Sequence, residues 1–303
     1  MSTIDLARYR QITGWVAVGL STAITGLWAF WGINETFHEG WYYRSFWQNM
    51  AMTLAQYLSP VIIFLIATLV TIFRPRAGSI LHVIVGIFAW WFFGFMKASF
   101  ILIFLPMIII GFMYWFGRPQ PQKTAAMIVV VVTSLILIGF AVEPIYRINT
   151  RVFDNNPEAR VVEGNGLKLI WAPGGPGWPL EGTSWFEAGS LCSQLLEDGK
   201  NLAGTPQNLW RLPTIDEAVR SMSRHGSNSG GVWDAAKAKA TYQVMPDKES
   251  PLWNTYSPVI YWWASSEVDE KSAYSISYNG RVVVRTKKSG YGSLSFRCVR
   301  EVK

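Results

Sequence analysis

The sequence predicts a multi-span α-helical membrane domain followed by an α+β domain. Three observations carry that prediction. Long apolar runs fill residues 1–147, which hold nine Lys/Arg and four Asp/Glu. Residues 148–303 hold 18 and 16 in an ordinary globular mixture. Within this second part helix-cap signals come first, and alternating segments punctuated by turns follow.

A helix that crosses the hydrocarbon core needs about 20 mainly apolar residues. Residues 12–33, 46–73 and 127–145 each meet that requirement. Residues 79–116 make a run of 38 with a single charge, Lys97. One helix of that length would reach ~57 Å against a core of ~30 Å. The run therefore divides into 79–96 and 99–116 about a tight turn, and the domain 1–147 has five spans. The first span follows Arg8 and Arg10, as a secretory signal would. Its length and the want of a small-residue cleavage site make it an uncleaved helix instead.

Orientation follows from basic residues, which concentrate on the cytoplasmic side. With the N-terminus inside, that side carries Arg8, Arg10, Arg74, Arg76, Arg118 and Lys123, and the outer loops carry Arg44 and Lys97. Reading 79–116 as one span would erase this bias. Five spans place residues 165–303 outside a bacterial inner or cell membrane, after a linker at 148–164. The net charge of +7 lies mostly at these flanks. Beyond Arg285-Thr286-Lys287-Lys288 the soluble part has no basic stripe, so a lipid bilayer is an expected partner and nucleic acid is not.

Ionisable groups inside the spans are nearly absent, His82 lying near an inner end and Lys97 at a turn. Asn49, Thr53, Gln56 and Ser59 share one helical face. They read either as a polar pathway or, more simply, as hydrogen bonds between helices. Pro60 and Pro106 are expected to bend their helices. In the first outer loop Glu35, His38 and Glu39 form E-x-x-H-E, a spacing able to ligate iron or zinc. The further carboxylates of such sites are missing, so this metal candidate is set below a polar interfacial loop. No cofactor is expected.

In the soluble part residues 167–172 predict a strand, and 173–179 (Pro-Gly-Gly-Pro-Gly-Trp-Pro) a non-helical loop. Ser184 with Glu187 and Thr214 with Glu217 each have the spacing of a capping box. Trp185, Ala188, Leu191, Cys192 and Leu195 mark one buried helix face; Ile215, Ala218, Val219 and Met222 mark another. Strands are predicted at 259–263, 273–278, 281–286 and 293–299, with Asn279-Gly280 as a two-residue hairpin turn. By alternation one of Trp262 and Trp263 faces inward.

The motifs S-W-F-E-A-G-S-L-C (184–192), L-W-R-L-P-T (209–214) with Glu217, Y-W-W-A-S-S-E (261–267) and F-R-C-V-R (296–300) occur in this order. Residues 165–301 thereby resemble the C-type-lectin-like domain of bacterial collagen-like adhesins and uncharacterised bacterial surface proteins. That domain is a distant relative of the formylglycine-generating-enzyme superfamily. The resemblance implies a C-type-lectin-like fold and a Cys192–Cys298 disulfide. Both cysteines lie in the part expected outside, where disulfides persist; two buried free thiols are the alternative.

Three functions compete. Lectin-like scaffolds recognise ligands through loops, here 173–179, 226–233 and 247–256. Trp178, Asn228, Trp233, Trp253, Asn254 and Tyr256 are the expected contacts with a glycan or protein. The Glu-Pro-Asn triplet of calcium-dependent sugar binding is absent, and Trp253-Asn-Thr255 departs from Trp-Asn-Asp. Catalysis like that of the formylglycine relatives needs reactive cysteines, and both are committed to the bridge. No other catalytic cluster is visible, so no enzyme is expected. Five spans exceed what an anchor needs, which keeps a structural subunit of a larger membrane complex, or a homo-oligomer, in play.

Overall fold

The computed structural model describes residues 3–302 and divides into two compact units. One is Met1–Trp41 with Ser45–Tyr146; the other is Tyr42–Arg44 with Arg147–Lys303.

In the first unit, α1 (Thr3–Glu35) runs into a π turn at Thr36–Gly40. Then come α2 (Phe46–Met52), a π turn at Thr53–Tyr57, α3 (Ser59–Phe73) and α4 (Pro75–Phe92). A short α5 (Lys97–Ser99) leads through a third π turn, Phe100–Phe104, into α6 (Leu105–Phe116), and α7 (Gln122–Asn149) ends the region. Four stretches are long and apolar enough to cross a membrane: Ile4–Gly40, Pro75–Phe92, Lys97–Phe116 and Gln122–Asn149. A fifth candidate, Phe46–Tyr57 with Ser59–Phe73, is bent by 61°. The helical region thus contains four or five candidate spans.

The turn expected near 94–99 lies slightly earlier, at 93–96, where Gly94 and Phe95 have φ of 61° and 59°. The bend expected from Pro60 in the run 46–73 takes the form of a break at Leu58. Pro60 has no amide proton for the Gln56 carbonyl, and the Ser59 hydroxyl donates to that carbonyl at 3.4 Å. The expected polar face is not uniform either: Asn49 and Thr53 are buried, Gln56 is exposed, and Ser59 lies beyond the break. Close packing elsewhere uses small residues. A Cβ at Gly111 would sit 2.9 Å from His82 Cβ and 3.2 Å from the Ser79 carbonyl, so glycine lets α6 approach α4.

The second unit is built from three-, four- and two-stranded sheets with two helices. Strands β1 (Arg160–Gly164) and β2 (Leu167–Trp171) come first, so strand structure begins inside the segment read as linker. Helices α8 (Trp185–Gln194) and α9 (Ile215–Ser221) follow. Two small ribbons come next, β3 (Ser223–Arg224) with β4 (Ser227–Asn228) and β5 (Val232–Asp234) with β6 (Lys239–Thr241). Then come β7 (Tyr261–Glu267), β8 (Ser272–Ser277), β9 (Val282–Thr286), β10 (Leu294–Ser295) and β11 (Val299–Glu301). The sheet orders are β1-β2-β11 and β10-β7-β8-β9, with β10 parallel to β7.

Three strand expectations need correction. The strand expected at 259–263 is shifted to Tyr261–Glu267. Trp262 and Trp263 are both buried, because each face of β7 is covered by its own hydrophobic cluster. The strand expected at 293–299 is interrupted, since residues 296–298 cross from one sheet to the other. Cys298 N donates there to the Gly177 carbonyl at 2.8 Å. The hairpin turn has three residues, Tyr278–Gly280, rather than two. Gly280 N donates to Ser277 O at 2.8 Å and Gly280 has φ 80°, the pattern of a type I turn closed by a left-handed glycine. Tyr278 is drawn into the core, its amide bonded to the Ile260 carbonyl at 3.0 Å.

Cys192 of α8 and Cys298 form a disulfide across a Cα–Cα distance of 5.6 Å. At α9, Thr214 and Glu217 make both bonds of a capping box. The first box is half made: Ser184 Oγ accepts from Glu187 N at 3.4 Å.

Candidate functional site

A cavity of about 310 Å³ opens in the second unit. Residues 153–157 form one wall. Gly174, Gly175, Trp178 and Leu180 form a second, and 250–251 with 253–254 a third.

Two of these walls are tied together by buried charge. Asp247 is ion-paired with Arg151 at 2.8 Å and Arg224 at 2.6 Å. Glu249 accepts from Val152 N at 2.7 Å and His225 N at 2.5 Å. Lys248 between them is buried and donates to the Ser257 carbonyl. Burial and the neighbouring Arg151 hold its pKa well below the usual lysine value, against the pull of Asp247. Ser250 N bonds to Val152 O at 2.9 Å, and Asp154 N to Ser250 Oγ at 3.2 Å. The segment 247–256, expected as an exposed recognition loop, is therefore largely interior. Charges buried this way persist only when paired or hydrogen-bonded.

The aromatic walls are equally fixed. Trp253 stacks on Trp262 with ring centroids 3.7 Å apart and planes 10° apart. Trp178 lies over the Arg297 guanidinium, 3.6 Å from its Cζ. Arg297 is completely buried. Its Nε donates to Ala172 O at 2.8 Å, and its Nη1 to Pro251 O at 2.9 Å and Leu252 O at 2.6 Å. Nη2 has no partner among the described residues. Burial and Arg160 lower the Arg297 pKa, and Asp154 opposes them. A guanidinium starts so high that it remains a cation at neutral pH.

Asp154, the one carboxylate on the lining, is held by its neighbours. Arg160 is bound to both its oxygens, and Ser250 Oγ and Asn156 N donate to Oδ1 at 3.1 Å each. The Arg160 bond, against a smaller effect of burial, brings its pKa down to about 2.

The cavity brings together three of the expected contacts, Trp178, Trp253 and Asn254. Tyr256 lies beside it, edge-on to Phe153 at 5.1 Å. Asn228 and Trp233 lie elsewhere. The Asn228 amide is spent on Arg220 O at 2.7 Å and Gly230 N at 2.8 Å, and Trp233 packs against Tyr274. Sequence reading missed Phe153, Asp154, Asn156, Leu180 and Arg297. The turn-forming D-N-N-P at 154–157 was the available signal for the first wall. Arg297 stood in the quoted F-R-C-V-R motif without an assigned role.

In the first unit, Glu35 ends α1 and takes a bond from Trp31 Nε1 at 3.2 Å; His38 and Glu39 lie in the π turn after it. Among the described residues no three His, Cys, Asp or Glu side chains gather to hold a metal ion. His82 is buried, with Nδ1 2.9 Å from Gly78 O and 3.1 Å from Thr71 Oγ1. The chain matches no protein-family model, no curated protein and no solved structure.

Proposed function

We propose that this is an integral membrane protein whose C-terminal domain is C-type-lectin-like and extracytoplasmic, serving as a non-catalytic recognition module. The cavity is its binding site, and its ligand is a glycan or a protein segment. The observation that carries this reading is the pinned cavity itself. Trp178 and Trp253 are fixed by Arg297 and Trp262, and the carboxylate of Asp154 is occupied by Arg160, Ser250 and Asn156. Such a lining provides shape and directed hydrogen bonds. The outward placement is supported by the disulfide and by basic residues at the alternate flanks of the spans.

The test is binding of full-length protein in lipid nanodiscs to arrays of saccharides and peptides, beside a Gly174→Leu variant. A Cβ at Gly174 meets nothing closer than Pro157 at 3.7 Å, and both residues line the cavity, so a larger side chain can start there without a clash at its Cβ. The expected outcome is a ligand bound by the wild type and lost in the variant, with the melting temperature unchanged. Equal binding by both proteins would move the site elsewhere.

A further inference from the structure

Resting on the recognition reading above, we infer that the cavity selects an acidic saccharide, one whose ring carries a carboxylate. The argument begins with hydrogen-bond inventory. Two lining asparagines have a settled amide orientation, because each Oδ1 faces a backbone N–H that only an acceptor can satisfy. Asn156 Oδ1 accepts from Glu158 N at 2.9 Å, and Asn254 Oδ1 accepts from Tyr256 N at 2.9 Å. Their Nδ2 groups, which only donate, have no partner among the described residues. Both asparagines belong to the cavity lining, so each brings to it a donor with no partner among the described residues.

Two of its acceptors, by contrast, are engaged. Asp154 receives bonds on both oxygens from Arg160, Ser250 and Asn156 N. The Pro251 carbonyl is taken by Arg297.

Charge points the same way. Arg297 has no ion-paired carboxylate among the described residues, and Asp154, the nearest opposing charge, is already paired with Arg160. Two guanidinium groups and one carboxylate leave a net positive charge behind the Trp178 and Pro251 wall. In a low-dielectric interior that charge acts over longer range than it would in water. A ligand entering this cavity gains from negative charge and from acceptor oxygens. The rest of the lining (Phe153, Pro157, Leu180, Pro251 and the little of Trp178 and Trp253 that stays exposed) is apolar and suits the C–H faces of a sugar ring. At about 310 Å³ the space is at the small end of ligand pockets, which matches one or two sugar units better than a long chain.

The experiment compares a uronic-acid disaccharide with the same disaccharide after its carboxyl has been reduced to an alcohol. Binding to the full-length protein in nanodiscs is measured by calorimetry at low and high salt. Asn156→Asp and Asn254→Asp are the informative variants, since each keeps the Oδ1 acceptor for its backbone N–H and replaces the free donor with a charged oxygen. The acid should bind at least about tenfold more tightly than its reduced form, weakening with salt. Either Asn→Asp variant should lose about tenfold for the acid, and much less for the reduced sugar, with its melting temperature retained. Equal affinity for the two sugars, both lost in Gly174→Leu, would overturn the acidic selection and leave the recognition module standing. An acidic peptide that binds in place of either sugar would overturn the saccharide assignment. A ligand indifferent to Gly174→Leu would remove the cavity reading and this inference together.

Discussion

Asp154 is the residue at which the chemistry of the cavity is most open to measurement. Its carboxyl is depressed from the usual 3.8 to about 2, chiefly by the Arg160 bond. A carboxylate lowered on folding stabilises the folded state fully above its unfolded pKa, and that contribution disappears as pH falls through the folded value. The melting temperature of Asp154→Asn should therefore lie below that of the wild type at pH 7. The gap should close between about pH 4 and pH 2. A gap that persists below pH 2 would show that the side chain acts through packing rather than charge. Arg297 belongs to the same scale. Nothing in its spacing distinguishes it from the other basic residues around it, and only the folded chain brings the Ala172, Pro251 and Leu252 carbonyls to its donors.

Among the elements, α9 shows how far a local signal reaches. The Thr214/Glu217 spacing predicted a capping box, and the box is present. The structure adds Arg211, whose two terminal nitrogens each bond a different Glu217 oxygen at 2.7 Å. Burial pushes the Glu217 carboxyl upward, but the Arg211 fork and the Thr214 amide outweigh it and hold the group below its usual range. One carboxylate thus closes the helix start and fixes the strand-like segment before it, where Arg211 N and O pair with Val299. Glu217→Gln should cost about 1–2 kcal/mol in denaturant unfolding, from loss of the charged fork. An unchanged midpoint would reduce the motif to a cap alone. The break at Leu58 was less legible. Pro60 marked it, but whether a proline kinks a helix or follows a sharp bend depends on what satisfies the carbonyl it leaves free.

For the whole molecule, the decisive prediction concerns the disulfide and the side of the membrane on which it lies. Cys192 and Cys298 are 106 residues apart, so the link restrains most of the second unit. Replacing both by serine should lower stability by about 2–5 kcal/mol. In spheroplasts a cysteine placed at the exposed Lys237, with the buried native disulfide left intact, should react with an impermeant maleimide. Labelling that requires cell lysis would place the domain in the cytoplasm and overturn the orientation.

The sequence by itself determined the division into an apolar helical part and a mixed α/β part, the presence of a turn inside the run 79–116, both helix starts of the second unit, and the pair of cysteines that could bridge. These depend on local periodicity, cap chemistry and composition, each complete within a few neighbouring residues. Tertiary structure alone decided that Trp262 and Trp263 are both interior, that 247–256 is a buried charged anchor, and that Trp178, Trp253 and Asn254 share a cavity while Asn228 and Trp233 do not. Those outcomes require residues up to a hundred positions apart to meet. Alternation along one strand cannot report whether one face or both will be covered, and a charged side chain can enter the interior only when the fold supplies its partner.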